Sequence, residues 1–211
     1  MCGRYGLYDI ADKDIIKENK GYHFKPNYNV APTQKMPVIT EGDGKKQIEE
    51  MQWGIHRQIG PNVEKDIINT RSDKAFERFW GKTVRSHRCL IPANGFFEWR
   101  TAGKVKTPFW IHPTDMSYFT FAGIFSIDAE GTKHYSIMTT TPNKEMSDVH
   151  NRMPVILTSE HEKLWLADGD DQLLEELLRP LPDKSLEIVE VSKEVNSPRN
   201  NYPELIEAAL N

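Results

Sequence analysis

The chain has 211 residues, 38% of them hydrophobic and 27% charged, and a net charge of −4 at pH 7. That length supports a real core, the balance is that of a globular protein, and the acidic sum excludes a general nucleic-acid coat. No apolar run approaches the ~18 residues of a membrane span, and two cysteines, Cys2 and Cys89, are too few for a disulfide framework or a zinc site.

The sequence opens MCGRY. No apolar stretch follows to form a secretory leader, so a reduced, cytoplasmic protein is expected. If Met1 is removed, Cys2 carries a free α-amine and a thiol on adjacent carbons, with ordinary pKa values of ~7.7–8.0 and ~8.5. If Met1 stays, Cys2 is an ordinary thiol near a terminus. A first helix is expected near Asp12 to Lys20, then a strand at MPVIT. In INTRS, an extended backbone points Asn69 and Arg71 to one face. SDKAFERFWGK reads as a helix capped by Ser72, with Ala75, Phe76, Phe79 and Trp80 on one side.

RCLIPANGFFEWR, TPFWIHP, YFTFAGIFSI, HYSIMTTT and MPVILT are rich in β-branched and aromatic residues and read as strands. Cys89 is expected to be a buried small hydrophobe. Alternation puts Glu98 on the face of Phe96, with Phe97 and Trp99 on the other. A carboxyl walled by aromatics suits acid–base work; the alternative is a strand-edge Glu on the solvent face. VHNRMPV pairs His150 with Arg152 in the same way, and His150 is either a proton shuttle or a structural histidine. The other histidines show no ligand spacing, so no metal is assigned.

SEHEKLWLA carries an apparent capping box, Ser159 with Glu162, and DDQLLEELLRP sets Leu173, Leu174, Leu177 and Leu178 on a helix stopped by Pro180. From Thr158 onward there are 5 Lys+Arg against 13 Asp+Glu, which leaves residues 1–157 with a balance of +4. This is compatible with a basic patch on the larger part or with two ordinary solvated faces. Many strands and few helices, without strict βαβ alternation, predict an α+β fold with mainly antiparallel sheet. No linker interrupts it, so a single domain over residues 1–211 is expected. Three pairs, Cys2 with Arg4, Asn69 with Arg71 and His150 with Arg152, each set a polar or reactive group beside an arginine fork suited to phosphate.

In order, MCGRY, YNVAPTQ, WGIHR, INTRSD, RCLIPANGFFEW, DVHNRMPVIL and VNSPRNN resemble the SRAP family, named as SOS-response-associated peptidases and later understood as abasic-site processing proteins. The likeness runs from Met1 to about Asn201. It implies a barrel-like fold, no cofactor, a monomer, and single-stranded DNA containing abasic sites as partner, hence association with the nucleoid. It further implies self-removal of Met1 and crosslinking of Cys2 to the aldehyde of a ring-opened abasic site. The amine forms a Schiff base, and the thiol closes a thiazolidine. An accompanying lyase activity belongs to the same picture. By motif, Asn69 matches a polar residue near the sugar and Glu98 the acid that assists proton transfer. His150 matches the histidine of Schiff-base chemistry and crosslink reversal, and Arg4, Arg71 and Arg152 match phosphate contacts. The chain departs from many relatives after Trp53, where WGIHRQIGPN lacks a second Trp. Stacking on flanking bases is then weaker, or supplied by Trp53 and Phe96.

Two rival functions share features of this sequence. Glutamine amidotransferases with an N-terminal nucleophile also begin Met-Cys-Gly, and ammonia release from glutamine would identify one. A non-catalytic single-strand-binding module would bind DNA reversibly and ignore Cys2→Ala.

Overall fold

The computed structural model describes residues 2–10, 13–42, 44–61 and 63–209. The chain forms β1 (Arg4–Leu7), a short helix α1 (Lys13–Glu18), β2 (Asn27–Val30), β3 (Lys35–Gly42) and β4 (Lys45–Trp53). A hairpin of β5 (Ile55–Gly60) and β6 (Val63–Ile67) precedes β7 (Asn69–Arg71) and α2 (Gly81–Ser86). Then come β8 (Arg88–Ala93), β9 (Gly95–Ala102), β10 (Val105–Pro113), β11 (Phe119–Ile127) and β12 (Lys133–Thr140). The last part holds α3 (Lys144–Ser147), β13 (Met153–Pro154), β14 (Ile156–Leu157), α4 (Ser159–Leu166), α5 (Asp171–Leu177) and β15 (Leu186–Glu190).

β3, β4, β12, β11 and β8 pair in a ring that returns to β3. Only β4–β12 is parallel within this ring, and closure leaves it no exposed edge. A five-stranded sheet in the order β15-β10-β9-β1-β2 packs against the barrel. The expected α+β architecture, mainly antiparallel with few helices, is the one observed. The strand-like runs singled out from the sequence fall in strands, but two are divided: RCLIPANGFFEWR between β8 and β9 at Asn94, and MPVILT between β13 and β14 at Val155. The Asn94 amide satisfies that break, accepting from the Tyr8 and Asp9 N–H groups at 2.8 and 3.1 Å and donating to the Ser117 carbonyl at 2.7 Å.

Period-two alternation sorts the aromatics of β9. Phe96 joins the main core, while Phe97 enters a second cluster with Trp110, Val191, Val195 and Leu205. Tyr5, Trp53, Phe121 and Tyr135 link sheet to barrel: Tyr5 meets Trp53 edge-on at 5.2 Å, and its hydroxyl bonds that of Tyr135 at 2.7 Å. Gly6 and Gly95 are register partners under the Trp110 indole. A Cβ on Gly95 would lie 2.2 Å from Trp110 Cζ2, so only glycine lets the ring lie flat there.

Two helix expectations are corrected. Ser72 does not cap a helix through Lys82; Ser72–Lys74 is a 3₁₀ turn and α2 begins only at Gly81. β7 pairs with β12 as far as Arg71, which holds the backbone extended, and the Arg71 guanidinium draws Asp73 back onto itself. Phe79 is left half exposed, with Arg57 stacked over its ring. At α4 the cap is Thr158, whose hydroxyl accepts from the His161 N–H at 3.3 Å. Glu162 is turned inward instead, taking Thr120 Oγ1 at 2.9 Å and Lys46 Nζ at 3.1 Å. Asp12, the expected start of the first helix, lies outside the described residues, and that helix is seen as Lys13–Glu18.

Candidate active site

Cys2 enters the fold just before β1, wholly buried against the core. Asn69, at the start of β7, donates from Nδ2 to the Cys2 carbonyl at 2.8 Å, and its Oδ1 is buried with no hydrogen-bond partner among the described residues. Burial pushes the Cys2 thiol away from ionisation, and the charge of Glu98 pushes it further the same way. Glu98 is thus an electrostatic neighbour of the thiol. β9 lies between β1 and β10, so Glu98 is not on a strand edge, and its side chain is buried. The two cysteines are free, and Cys89 is a buried small hydrophobe as expected.

Glu98 and His150 line one open cleft of about 480 Å³, with Trp99, Thr101, Lys106 and Asn196. The Arg152 N–H lies 3.1 Å from His150 Nδ1. The Arg152 carbonyl lies 3.2 Å from the same Nδ1, so the Arg152 backbone orients the ring.

The arginines divide. Arg4 donates to Asn29 Oδ1 at 2.8 Å and to the carbonyls of Val195 and Asn196 at 2.9 and 3.3 Å, and burial weakens its hold on its proton. Arg71 lies at the surface, paired with Asp73 through Nε at 2.9 Å and Nη2 at 2.5 Å. Arg152 donates to the Thr139 carbonyl and hydroxyl, and its Nη1 comes within 3.6 Å of the same Asp73 carboxylate. Arg71 and Thr139 are register partners on β7 and β12, so the Thr139 that holds Arg152 brings the two guanidinium groups together. The Arg71 fork holds the Asp73 carboxyl down to about 2.

Trp53 and Phe96 are not stacking surfaces. Both are wholly buried, and Trp53 donates its indole N–H to the Ile68 carbonyl at 2.9 Å, so neither offers a ring face to a base. Apolar identity alone does not separate a core aromatic from a stacking platform. Sequence reasoning also missed Asn29. Its Nδ2 is within reach of the carbonyls of Val195, Ser197 and Asn200 at 3.0–3.2 Å, which ties the VNSPRNN segment to β2 and steadies Arg4. Trp99 ties the same segment to the cleft, donating from Nε1 to Asn196 Oδ1 at 2.8 Å. The signal available was the recurrence of Asn in two motifs far apart in sequence, YNVAPTQ and VNSPRNN. Among the described residues no group of His, Cys, Asp and Glu could hold a metal ion, and no helix is long and apolar enough to cross a membrane.

Comparison with known proteins bears on this arrangement. The family model described as SOS response associated peptidase (SRAP) matches residues 1–198. The chain is 38% identical to the abasic site processing protein YoqW of Bacillus subtilis over 229 aligned positions, covering 99% of this chain and all of the relative. It is 28% identical to the abasic site processing protein YedK of Escherichia coli, with 79% of each chain covered. A crystal structure of a Bacteroides thetaiotaomicron protein superposes with a TM-score of 0.83 at 25% identity, covering 99% of this chain and all of that one. With motifs, fold and full-length likeness in agreement, the chain belongs to the SOS response associated peptidase (SRAP) family.

Proposed function

We propose that this protein processes abasic sites in single-stranded DNA by covalent capture through Cys2. The observation that carries the reading is the placement of Cys2. Asn69 pins its carbonyl, the Glu98 carboxylate acts on its thiol, and Glu98 and His150 share a cleft open to a substrate. Family membership and relatives named for abasic-site processing support the same substrate.

In this reading Met1, which lies outside the described residues, is removed by the protein itself. The freed α-amine of Cys2 attacks the aldehyde carbon of a ring-opened abasic site, and loss of water gives an imine. The thiol sulfur then adds to the imine carbon; its proton leaves as the S–C bond forms, and the ring nitrogen gains one. Because the thiol is held neutral by burial, the step needs a proton acceptor at hand, and Glu98 takes that part. Asn69 Oδ1 is an acceptor awaiting a donor, and the sugar hydroxyls or the freed amine supply one. His150 serves the imine branch, protonating the species that leads to ring reopening or slow strand scission. The protein acts as a monomer in the cytoplasm, at the nucleoid.

The test is a denaturing gel of protein mixed with single-stranded DNA carrying one abasic site, beside intact-mass analysis. A heat-stable adduct, with Met1 absent from the reactive material, is expected. Cys2→Ala should leave at most an imine that is trapped only by reduction. An undiminished stable adduct from Cys2→Ala would overturn the chemistry.

A further inference from the structure

Asp73 is an exposed acid placed where the DNA-binding reading expects a phosphate. Its two carboxylate oxygens accept from the Arg71 fork, at 2.9 and 2.5 Å, and one lies 3.6 Å from Arg152 Nη1. A backbone phosphate presents two oxygens to a guanidinium in the same way. The two arginines do not depend on Asp73 for their closeness. β7–β12 pairing brings Arg71 beside Thr139, and Thr139 holds Arg152 through its carbonyl and hydroxyl. Two cations set together repel, and burial first, with the Arg71 charge adding to it, lowers the affinity of Arg152 for its own proton. The place between them calls for an anion whether or not DNA is bound. Asp73 fills it from two residues along the chain, with the high effective concentration of a tethered group.

We propose that Asp73 is a resident anion that a phosphate of the incoming strand must displace, and that it thereby sets the affinity for intact single strands. The inference rests on the reading of this face as a DNA path. Displacement needs only rotation of an exposed side chain. Asp73 borders an open cleft with Ser72, Phe76, Glu77 and Glu175, and Lys74 pairs with Glu77 at 2.6 Å. The consequence is selective. An intact strand can leave as readily as it arrives, whereas a strand with an abasic aldehyde is kept by its bond to Cys2.

The experiment measures binding of an intact single-stranded oligonucleotide by fluorescence anisotropy over a range of salt. The proteins are the parent, Asp73→Asn, Asp73→Ser, Arg71→Ala and the Arg71→Ala/Asp73→Asn double variant. Both Asp73 substitutions should tighten binding about three- to tenfold at low salt. The slope of log affinity against log salt should steepen by about 0.7 for one more phosphate neutralised. Without Arg71 the Asp73→Asn gain should disappear. Unchanged or weaker binding by both Asp73 variants overturns the proposal, because Asp73 would then only orient Arg71. A gain of equal size without Arg71 also overturns it, as a mere change in net charge. If the parent shows no salt-sensitive binding at all, the DNA reading falls and the proposal with it. If the parent and Arg71→Ala differ while Asp73→Asn gains nothing, the DNA reading stands and this proposal alone fails.

Discussion

At Cys2, burial and the charge of Glu98 both disfavour the thiolate, the form that attacks carbon. A buried, neutral thiol is safe from idle oxidation but is a poor nucleophile until a base takes its proton. Glutamine at position 98 keeps the shape of the side chain and loses that capacity. Glu98→Gln should slow adduct formation about 10²-fold, the low end of what a positioned acid–base group contributes. His150→Ala should reach the parent's adduct yield and release DNA more slowly in a chase with unlabelled abasic strand. A time course followed by the chase reads both. Parent-like formation in Glu98→Gln, or parent-like release in His150→Ala, removes the assignment concerned.

The β5–β6 hairpin leaves the sheet between Gly54 and Ile68 and returns next to Asn69. His56 bridges its strands from β5, with Nδ1 3.0 Å from Asp66 and Nε2 3.2 Å from Glu64. Those two carboxylates raise the His56 pKa, the Asp66 bond more than the Glu64 bond. A raised folded-state pKa gives stability that is fully present below the ordinary value near 6.5 and is lost as pH rises through the raised one. Intrinsic-rate-corrected hydrogen exchange should therefore show the hairpin amides losing protection as pH rises past neutrality, and His56→Gln should abolish the dependence. A pH-independent protection factor in the parent would contradict this. This element also marks where the sequence was hard to read. Strands such as YFTFAGIFSI were legible because they are rich in β-branched and aromatic residues, as a strand buried along most of its length requires. VEKDI is exposed along most of its length, so no apolar period announces it. The segment after Ser72 has helical spacing, yet the pairing of β7 with β12 overrides it, and a partner 68 residues away leaves no local trace. In the site, the residue types of Cys2, Glu98 and His150 were legible from chemistry. The duties of Asn29 and Asp73 were not, since each depends on groups that only the fold brings near.

For the whole molecule, the contact between Arg4 and the carbonyls of Val195 and Asn196 joins residues 191 and 192 positions apart. Asn29 reaches as far as Asn200 from the same side. Among the sequence-distant pairings of this fold, these have a consequence in time. A ribosome adds about 5–20 residues per second, amino terminus first. Cys2 is made at once, but the wall beside it is complete only when residue 200 has been added, roughly 10–40 s later at that pace. Throughout that interval the nucleophile exists without its surroundings, so the nascent chain carries its reactive end in an unassembled state. A chain ending at Val191 should reproduce that state after synthesis. It loses the carbonyls that hold Arg4 and the acceptor of the Trp99 indole. It should melt earlier than the full chain and form the abasic-DNA adduct at a small fraction of its rate. Adding back a peptide of residues 192–209 should recover part of both. Full-chain melting and adduct rates in the shortened protein would mean that Cys2 is competent long before synthesis ends.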